Sequence, residues 1–363
     1  MKMKRWFTGT LALTMVLLLA AGCFVAGSDP FFYYRWDGEG EGVFFNQRYQ
    51  AAGIARNAHA DTVLLGTSMV SNFRSSYVAD SYGGTAVKIT IPDGHFSEFS
   101  AVLGTVFANG APERVIFSLD TNILVRSDAG APGLPDYLYD RNPLNDANYL
   151  FNKDALFYGA YALYKKAAGQ AVSADEAFTW DTGTGFSTKQ VLASYTRPAG
   201  VSAAVPADAY LANAEENCAV ILSWAEQHPE TEFIVYIPPY NILYWDKIRY
   251  SGETDAVFAA LDYCFETLSA DGDNLRLYEL LDHPICKDCS YFNDYIHFSG
   301  LGAKEVLASL TFDETVGYTG REDRAISSSR EVTAENRSEL LENIRAFKDD
   351  FDYEALLSKR SSQ

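Results

Sequence analysis

Apolar and polar positions along the chain fall into two alternating periods. Short apolar runs at 62–65, 86–91, 114–120, 232–239 and 275–280 read as strands. Between them lie stretches with apolar residues at helical spacing, at 46–60, 95–110, 215–228, 255–270 and 302–310, and a further helix is expected after Ser68. Stop signals sit where these elements should end: Asn-Gly at 109–110 and two prolines at 238–239. Strands alternating with helices predict an α/β fold, a mainly parallel central sheet with helices on both faces. Ligands gather at the carboxyl ends of such strands. Three of those ends carry polar residues: Gly66-Thr67-Ser68, Asp120, and the "PPYN" turn, which makes Tyr240 and Asn241 candidates for substrate contact.

The alternation fails between about 125 and 206. There, a loop leads into an aromatic helix ("ANYLFNKDALFYGAYALYKKA"), and a polar, Gly-rich stretch follows ("FTWDTGTGFSTKQ"). That length is too great for a passive connection. It reads as an insertion capping the active site, with a decorative subdomain as the alternative. The core domain is then 29–318, and 319–363 forms a charged tail of one or two amphipathic helices.

At the N-terminus Lys2, Lys4 and Arg5 precede "WFTGTLALTMVLLLAAGCFVAG", a stretch without charge. At about 1.5 Å per residue it is long enough to cross a bilayer core. Basic residues stay on the cytoplasmic side, which places the rest of the chain outside the cytoplasm, on a single anchor formed by residues 1–28. A cleaved signal peptide is a rival reading. So is a lipoprotein signal, because "LAAGC" resembles a bacterial lipobox and would put a lipid on Cys23. The aromatic run "SDPFFYYRW" that follows is unlike a loose lipoprotein linker.

Charge and composition narrow the partners. With 29 Lys+Arg against 48 Asp+Glu the formal charge is −19, which repels phosphate backbones and anionic headgroups and argues against nucleic acid and against peripheral membrane binding. The aromatic share, 14%, suits either stacking on sugars or an aromatic core. "CKDC" at Cys286 and Cys289 has metal-knuckle spacing, but no second CxxC or paired His follows, so a local disulfide or two free thiols fit better than zinc. No phosphate-binding glycine motif is present, and no cofactor is expected.

A serine hydroxyl becomes a useful nucleophile only when a base takes its proton and a third group holds that base. Ser68, at the tip of the first strand, is the candidate nucleophile; capping the next helix is its other reading. Of the five histidines, His59, His95 and His228 have uninformative neighbours, and His283 has Asp282 directly beside it. His297 differs, because Asp294 precedes it by three residues, a spacing that can bring carboxylate and imidazole together.

"GTS" after a first strand, joined to a C-terminal Asp-x-x-His, resembles the SGNH/GDSL hydrolase superfamily. The phrases "SDPFFYYRWDGEG", "NQRYQAAGIARN", "LLGTSMVSNF", "YLYDRNPLNDANYLFNKD", "IPPYNILYWD" and "NDYIHFSG" resemble a membrane-anchored bacterial branch of it, near the surface-polysaccharide acetylation and teichoic-acid alanylation proteins. The resemblance implies a flavodoxin-like three-layer sandwich and a triad of Ser68, His297 and Asp294. It implies an oxyanion site built from the Ser68 amide, Gly94 and a third-block amide. Its activity would be ester hydrolysis or acyl transfer on a cell-surface polysaccharide or other acylated glycan, with a membrane protein as one source of acyl groups. The third block departs from the pattern: it falls on "SLDT", so Asp120 stands where an amide is expected, and Asn122 could substitute if the strand runs on to it. A binding or assembly protein on the same scaffold is the alternative.

Overall fold

A computed structural model of the chain describes residues 2–36, 40–140, 142–180, 185–270, 272–311 and 329–362. Helix α1 spans Lys2–Ser28 and α2 spans Gln47–Asn57. There follow strand β1 (Thr62–Gly66), α3 (Ser75–Tyr82), β2 (Ala86–Thr90), α4 (Phe96–Phe107) and β3 (Arg114–Ser118). Helix α5 (Lys153–Ala167) lies in the insertion, and then come α6 (Leu211–Gln227), β4 (Glu232–Ile237), α7 (Thr254–Leu268) and β5 (Leu275–Glu279). The chain closes with α8 (Gly300–Leu310), β6 (Glu331–Val332) and α9 (Arg337–Asp349) among the described residues; shorter turns are named by residue.

The chain divides into two compact units. One comprises residues 60–99, 111–131 and 178–363 and holds the six-stranded sheet, ordered β2-β1-β3-β4-β5-β6. Its first five strands are parallel, and β6 pairs antiparallel with β5 through Leu277↔Val332 and Tyr278↔Glu331. The strands are buried on both faces, as the unbroken apolar runs require. The order reverses at β1: the chain steps outward to β2, returns to β3 on the other side, and continues to β4 and β5. With right-handed crossovers this reversal places α3 on one face and α6 and α7 on the other, and α8, which follows the last parallel strand, comes back to α3. The packing agrees, since α6 meets α7, α7 meets α9, and α3 meets α8. The α/β architecture with a mainly parallel central sheet is therefore as the residue pattern predicts.

The second unit comprises residues 1–59, 100–110 and 132–177. Its core gathers Val25, Phe31, Tyr33, Ala52, Leu138, Tyr149 and Ala155. The "SDPFFYYRW" motif is explained by Asp29, whose carboxylate accepts the N–H groups of Tyr33 (3.0 Å), Tyr34 (3.0 Å) and Arg35 (2.9 Å) and the Tyr149 hydroxyl (2.8 Å). Gln50, fully buried on α2, donates to the carbonyls of Pro30 and Val43 and accepts from the amides of Phe45 and Asn46. Gly53 allows this close approach, because a Cβ there would lie 2.1 Å from the Phe31 carbonyl oxygen.

The expected insertion is thus not one piece. Residues 132–177 belong to the unit containing α1, while 178–206 belong to the unit containing the sheet. The helix expected directly after Ser68 is a three-residue 3-10 turn, with α3 starting only at Ser75. The boundary expected at 318–319 lies outside the described residues. Helix α1 is long and apolar enough to cross a membrane, a property that signal sequences share.

Candidate active site

Strands β1 and β3 are neighbours where the strand order reverses, and the crevice beyond their carboxyl ends is where an open α/β sheet receives ligands. Beyond β1 the chain turns through Thr67 into Ser68–Val70. Gly66 is required by close packing: a Cβ there would sit 2.8 Å from the Ser118 Cβ and 2.8 Å from the Val70 Cγ1. Neither neighbour can yield without shifting a strand or the turn that carries Ser68. Gly66→Ala is expected to lower stability by about 1–3 kcal/mol and to slow reaction of Ser68 with a serine-directed probe. Thermal unfolding and labelling rate together check this.

Thr67 fixes the turn. Its hydroxyl donates to Asp120 and accepts the Met69 N–H at 3.3 Å. Asp120 also accepts from Ser118 Oγ at 3.0 Å, so β3 and the Ser68 turn are tied by one buried carboxylate. Burial pushes the Asp120 carboxyl up to about 6, opposed by the hydrogen bonds from Thr67 and Ser118 and, more weakly, by the charges of His297 and Arg126. An acid raised in the folded state favours its neutral form there. Stability from this group is therefore greatest below the unfolded value near 3.8 and declines as pH rises toward 6. The decline amounts to about 3 kcal/mol at 1.36 kcal/mol per unit. Asp120→Asn is expected to flatten unfolding free energy between pH 4 and 6 relative to the parent, as urea titrations at several pH values would show.

The loop before α8 brings the other two side chains. The Asn293 N–H donates to the His297 carbonyl at 3.0 Å and Phe292 bridges Phe298, so 293–297 is a tight closed loop. Ser299 caps α8 by accepting the Gly302 N–H. Within the loop Asp294 Oδ1 accepts the N–H groups of Ile296 and His297, each at 2.7 Å, and its Oδ2 lies 2.7 Å from His297 Nδ1. Burial pushes the Asp294 carboxyl up, but the His297 hydrogen bond and charge and the two amides outweigh it and hold the group below its usual range. The other ring nitrogen, Nε2, lies 2.8 Å from Ser68 Oγ. Three side chains, one of them more than two hundred residues from the other two, thus form one hydrogen-bonded chain. All three are partly exposed, so a substrate can reach them.

Trp180, an aromatic whose role the residue pattern did not disclose, stands edge-on to the His297 ring with centroids 5.6 Å apart. Its ring stacks with Phe186 at 5.9 Å, and its backbone N–H donates to Asn72 Oδ1 at 3.1 Å. Asn72 is buried and in turn donates to the Phe298 carbonyl at 2.8 Å. The Gly185 carbonyl accepts from Asn293 at 2.9 Å. The later part of the insertion therefore packs on the histidine loop. The only cue in the residues was an aromatic in a polar, glycine-rich stretch.

Asn122, Tyr240 and Asn241 have other roles than expected, while the packing at Gly94 does not bear on its amide. Strand β3 ends at Ser118, and the Asp120 carbonyl accepts the N–H groups of Ile123 and Leu124, so 121–124 is a helical turn. Asn122 sits exposed on that turn, not on a continued strand face, which removes the reason for reading it as an oxyanion donor. Gly94 is buried, and its lack of a side chain serves packing: a Cβ would come within 2.5 Å of the Phe99 ring and 2.8 Å of the Ile91 carbonyl. Its own carbonyl accepts from Arg126.

Tyr240 is 1% exposed, stacked on Tyr244 at 4.3 Å, with its hydroxyl accepting the Thr121 N–H at 3.0 Å. Asn241, 0% exposed, accepts the Leu243 N–H and donates to Cys289 Sγ at 3.5 Å. Both are core residues that brace the strand ends, not substrate contacts. Of the two readings of Cys286 and Cys289, the free thiols hold. Cys286 and Cys289 are free, buried thiols that face different partners, the Leu280 carbonyl and the Asn241 amide. The Ser68 amide opens its turn and so has no partner within it, which leaves it available to an oxyanion.

No family model and no curated protein matches the chain. Among solved structures it is similar to one described as "a putative platelet activating factor from Streptococcus pneumonia", at 14% identity and a TM-score of 0.37, covering 72% of this chain and 88% of the other. A likeness at that score carries no weight for fold or chemistry. What the chain's own geometry defines is an α/β protein with a Ser-His-Asp constellation at the switch point of its sheet.

Proposed function

We propose that the chain is an extracytoplasmic serine esterase or acyltransferase of SGNH type, acting on acyl esters, acetyl above all, of a cell-envelope glycan. The observation that carries this reading is the unbroken chain of hydrogen bonds Ser68–His297–Asp294. Ser68 Oγ attacks the ester carbonyl and passes its proton to His297 Nε2. Asp294 holds the Nδ1 proton in place and stabilises the imidazolium. The tetrahedral intermediate develops its negative oxygen beside the Ser68 N–H. Collapse expels the alcohol, which takes the proton from His297 and leaves the acyl group on serine. Water or a sugar hydroxyl then attacks, with His297 as base, and restores Ser68. The aromatic wall of Trp180 and Phe186 suits a sugar ring, and a membrane protein that delivers acyl groups fits the transfer version.

The proposed location is a bacterial cell membrane, through an uncleaved α1. Val25 is 0% exposed in a core it shares with Phe31 and Tyr149, and Arg35 donates to the carbonyls of Ala26 and Gly27. Cleavage within this segment would open that core. Lipidation of Cys23 is the competing version.

A second reading, a glycan-binding or assembly protein on the same scaffold, draws on Asp120, which occupies the position of an expected donor and is bonded to two hydroxyls. A fluorophosphonate probe on the full chain, followed by peptide mapping, separates the two. Labelling at Ser68 supports the enzyme. Labelling at another serine, or none, sinks it.

A further inference from the structure

We propose that the outer face of α5, with the turns before it, rests on the outer leaflet of the bilayer beside α1, so that this unit is seated on the membrane and not merely tethered to it. The proposal rests on the reading of α1 as an uncleaved anchor. Helix α5 is apolar on two sides. One stripe, Ala155, Gly159 and Ala162, is buried. At Gly159 a Cβ would lie 2.5 Å from Ser28 Oγ and 3.0 Å from the Phe24 ring, so this stripe packs on the last turns of α1.

The other stripe is exposed and equally apolar. Phe157 is 66% exposed and Tyr164 68%, with Leu163 beside them and Leu144 and Phe151 in the preceding turns. A helix with two apolar faces requires cover on both, and an exposed group of this size marks an interaction surface.

The position identifies the cover. Residues 6–21 of α1 are almost wholly exposed, uncharged helix, and at about 1.5 Å per residue they span about 24 Å, most of the thickness of a hydrocarbon core. The lipid boundary therefore falls near Gly22. Phe151 packs there, its ring 3.4 Å from where a Gly22 Cβ would be. Aromatic side chains level with that boundary occupy the interfacial belt favoured by Tyr and Trp. Lys153, Lys165 and Lys166 at the ends of α5 supply stems that reach headgroups while the apolar stripe enters the acyl boundary. The formal charge of −19 opposes adsorption driven by charge alone, but a helix held against an inserted α1 needs no such attraction.

The test uses the full chain with Cys23→Ser, reconstituted in phosphatidylcholine nanodiscs, carrying a nitroxide at Phe157→Cys, Tyr164→Cys or Leu13→Cys in separate samples. The four other cysteines are buried and do not compete for the label. Collision with oxygen and with a water-soluble nickel chelate is read at each site. Oxygen prevailing over nickel at 157 and 164, as at 13, supports the seating. Nickel prevailing at 157 and 164 while 13 remains in lipid overturns it and leaves the anchor intact. Shielding of 157 and 164 from both reagents overturns it in favour of a protein partner. Nickel access at 13, or a chain lacking that residue, defeats the anchor and the seating together.

Discussion

Ser68→Ala is expected to reduce hydrolysis of an aryl acetate by about ten-thousand-fold or more, with thermal unfolding unchanged. His297→Ala should cost about as much, and the double variant no more than either, because members of a proton-transfer chain act as one unit. Asp294→Asn should also fall by about ten-thousand-fold, through loss of the correct imidazole tautomer. The effect can be this large because Asp294 is already fixed by two backbone amides and His297 already meets Ser68 at 2.8 Å. Turnover by the Ser68→Ala chain within ten-fold of the parent would place the chemistry elsewhere.

Arg330→Met is expected to destabilise the sheet-bearing unit by about 3–5 kcal/mol. The Arg330 side chain is 15% exposed and donates to Asp282 and, at 3.3 Å, to Glu279, whose side chain is 0% exposed. Burial foremost, then the charge of Asp282, pushes Glu279 up to about 8 against the pull of Arg330. Removing the guanidinium takes the positive charge from Asp282 and leaves it facing Glu279, already pushed toward its neutral form, in a poorly solvated place, whereas Glu279→Gln in the same chain should recover part of the loss. Urea unfolding of the single and double variants measures both. An Arg330→Met midpoint equal to that of the parent would show that the pair contributes nothing.

The residue pattern disclosed what local periodicity controls. All five parallel strands were legible, because each is a short, apolar-rich run of five or six residues, most of them buried. β6 was not. It has two residues and borrows its identity from pairing with β5. Ser68, Asp294 and His297 could be named because a hydroxyl at a strand tip and a carboxylate three residues before an imidazole are local signals.

What failed depended on the chain's path in space. Asn122 was placed by extending β3 four residues beyond where it stops. Tyr240 and Asn241 follow a strand and are polar, but their hydrogen bonds run inward to Thr121, Leu243 and Cys289. Trp180 could not be assigned, because its partner His297 is more than a hundred residues away. The insertion divides at 177/178, where the polar, glycine-rich stretch begins, but composition alone does not say that the two parts join different units.

The sheet's last strand comes from residues 331–332, so the flank of β5 at Leu277 and Tyr278 stays open until those residues have been made. An uncovered row of amides and carbonyls invites pairing with another molecule. Until those residues arrive, the growing chain carries an adhesive border. A gene product terminated before Glu331 would keep that border for good, and would be cleared or clump regardless of whether its serine were competent.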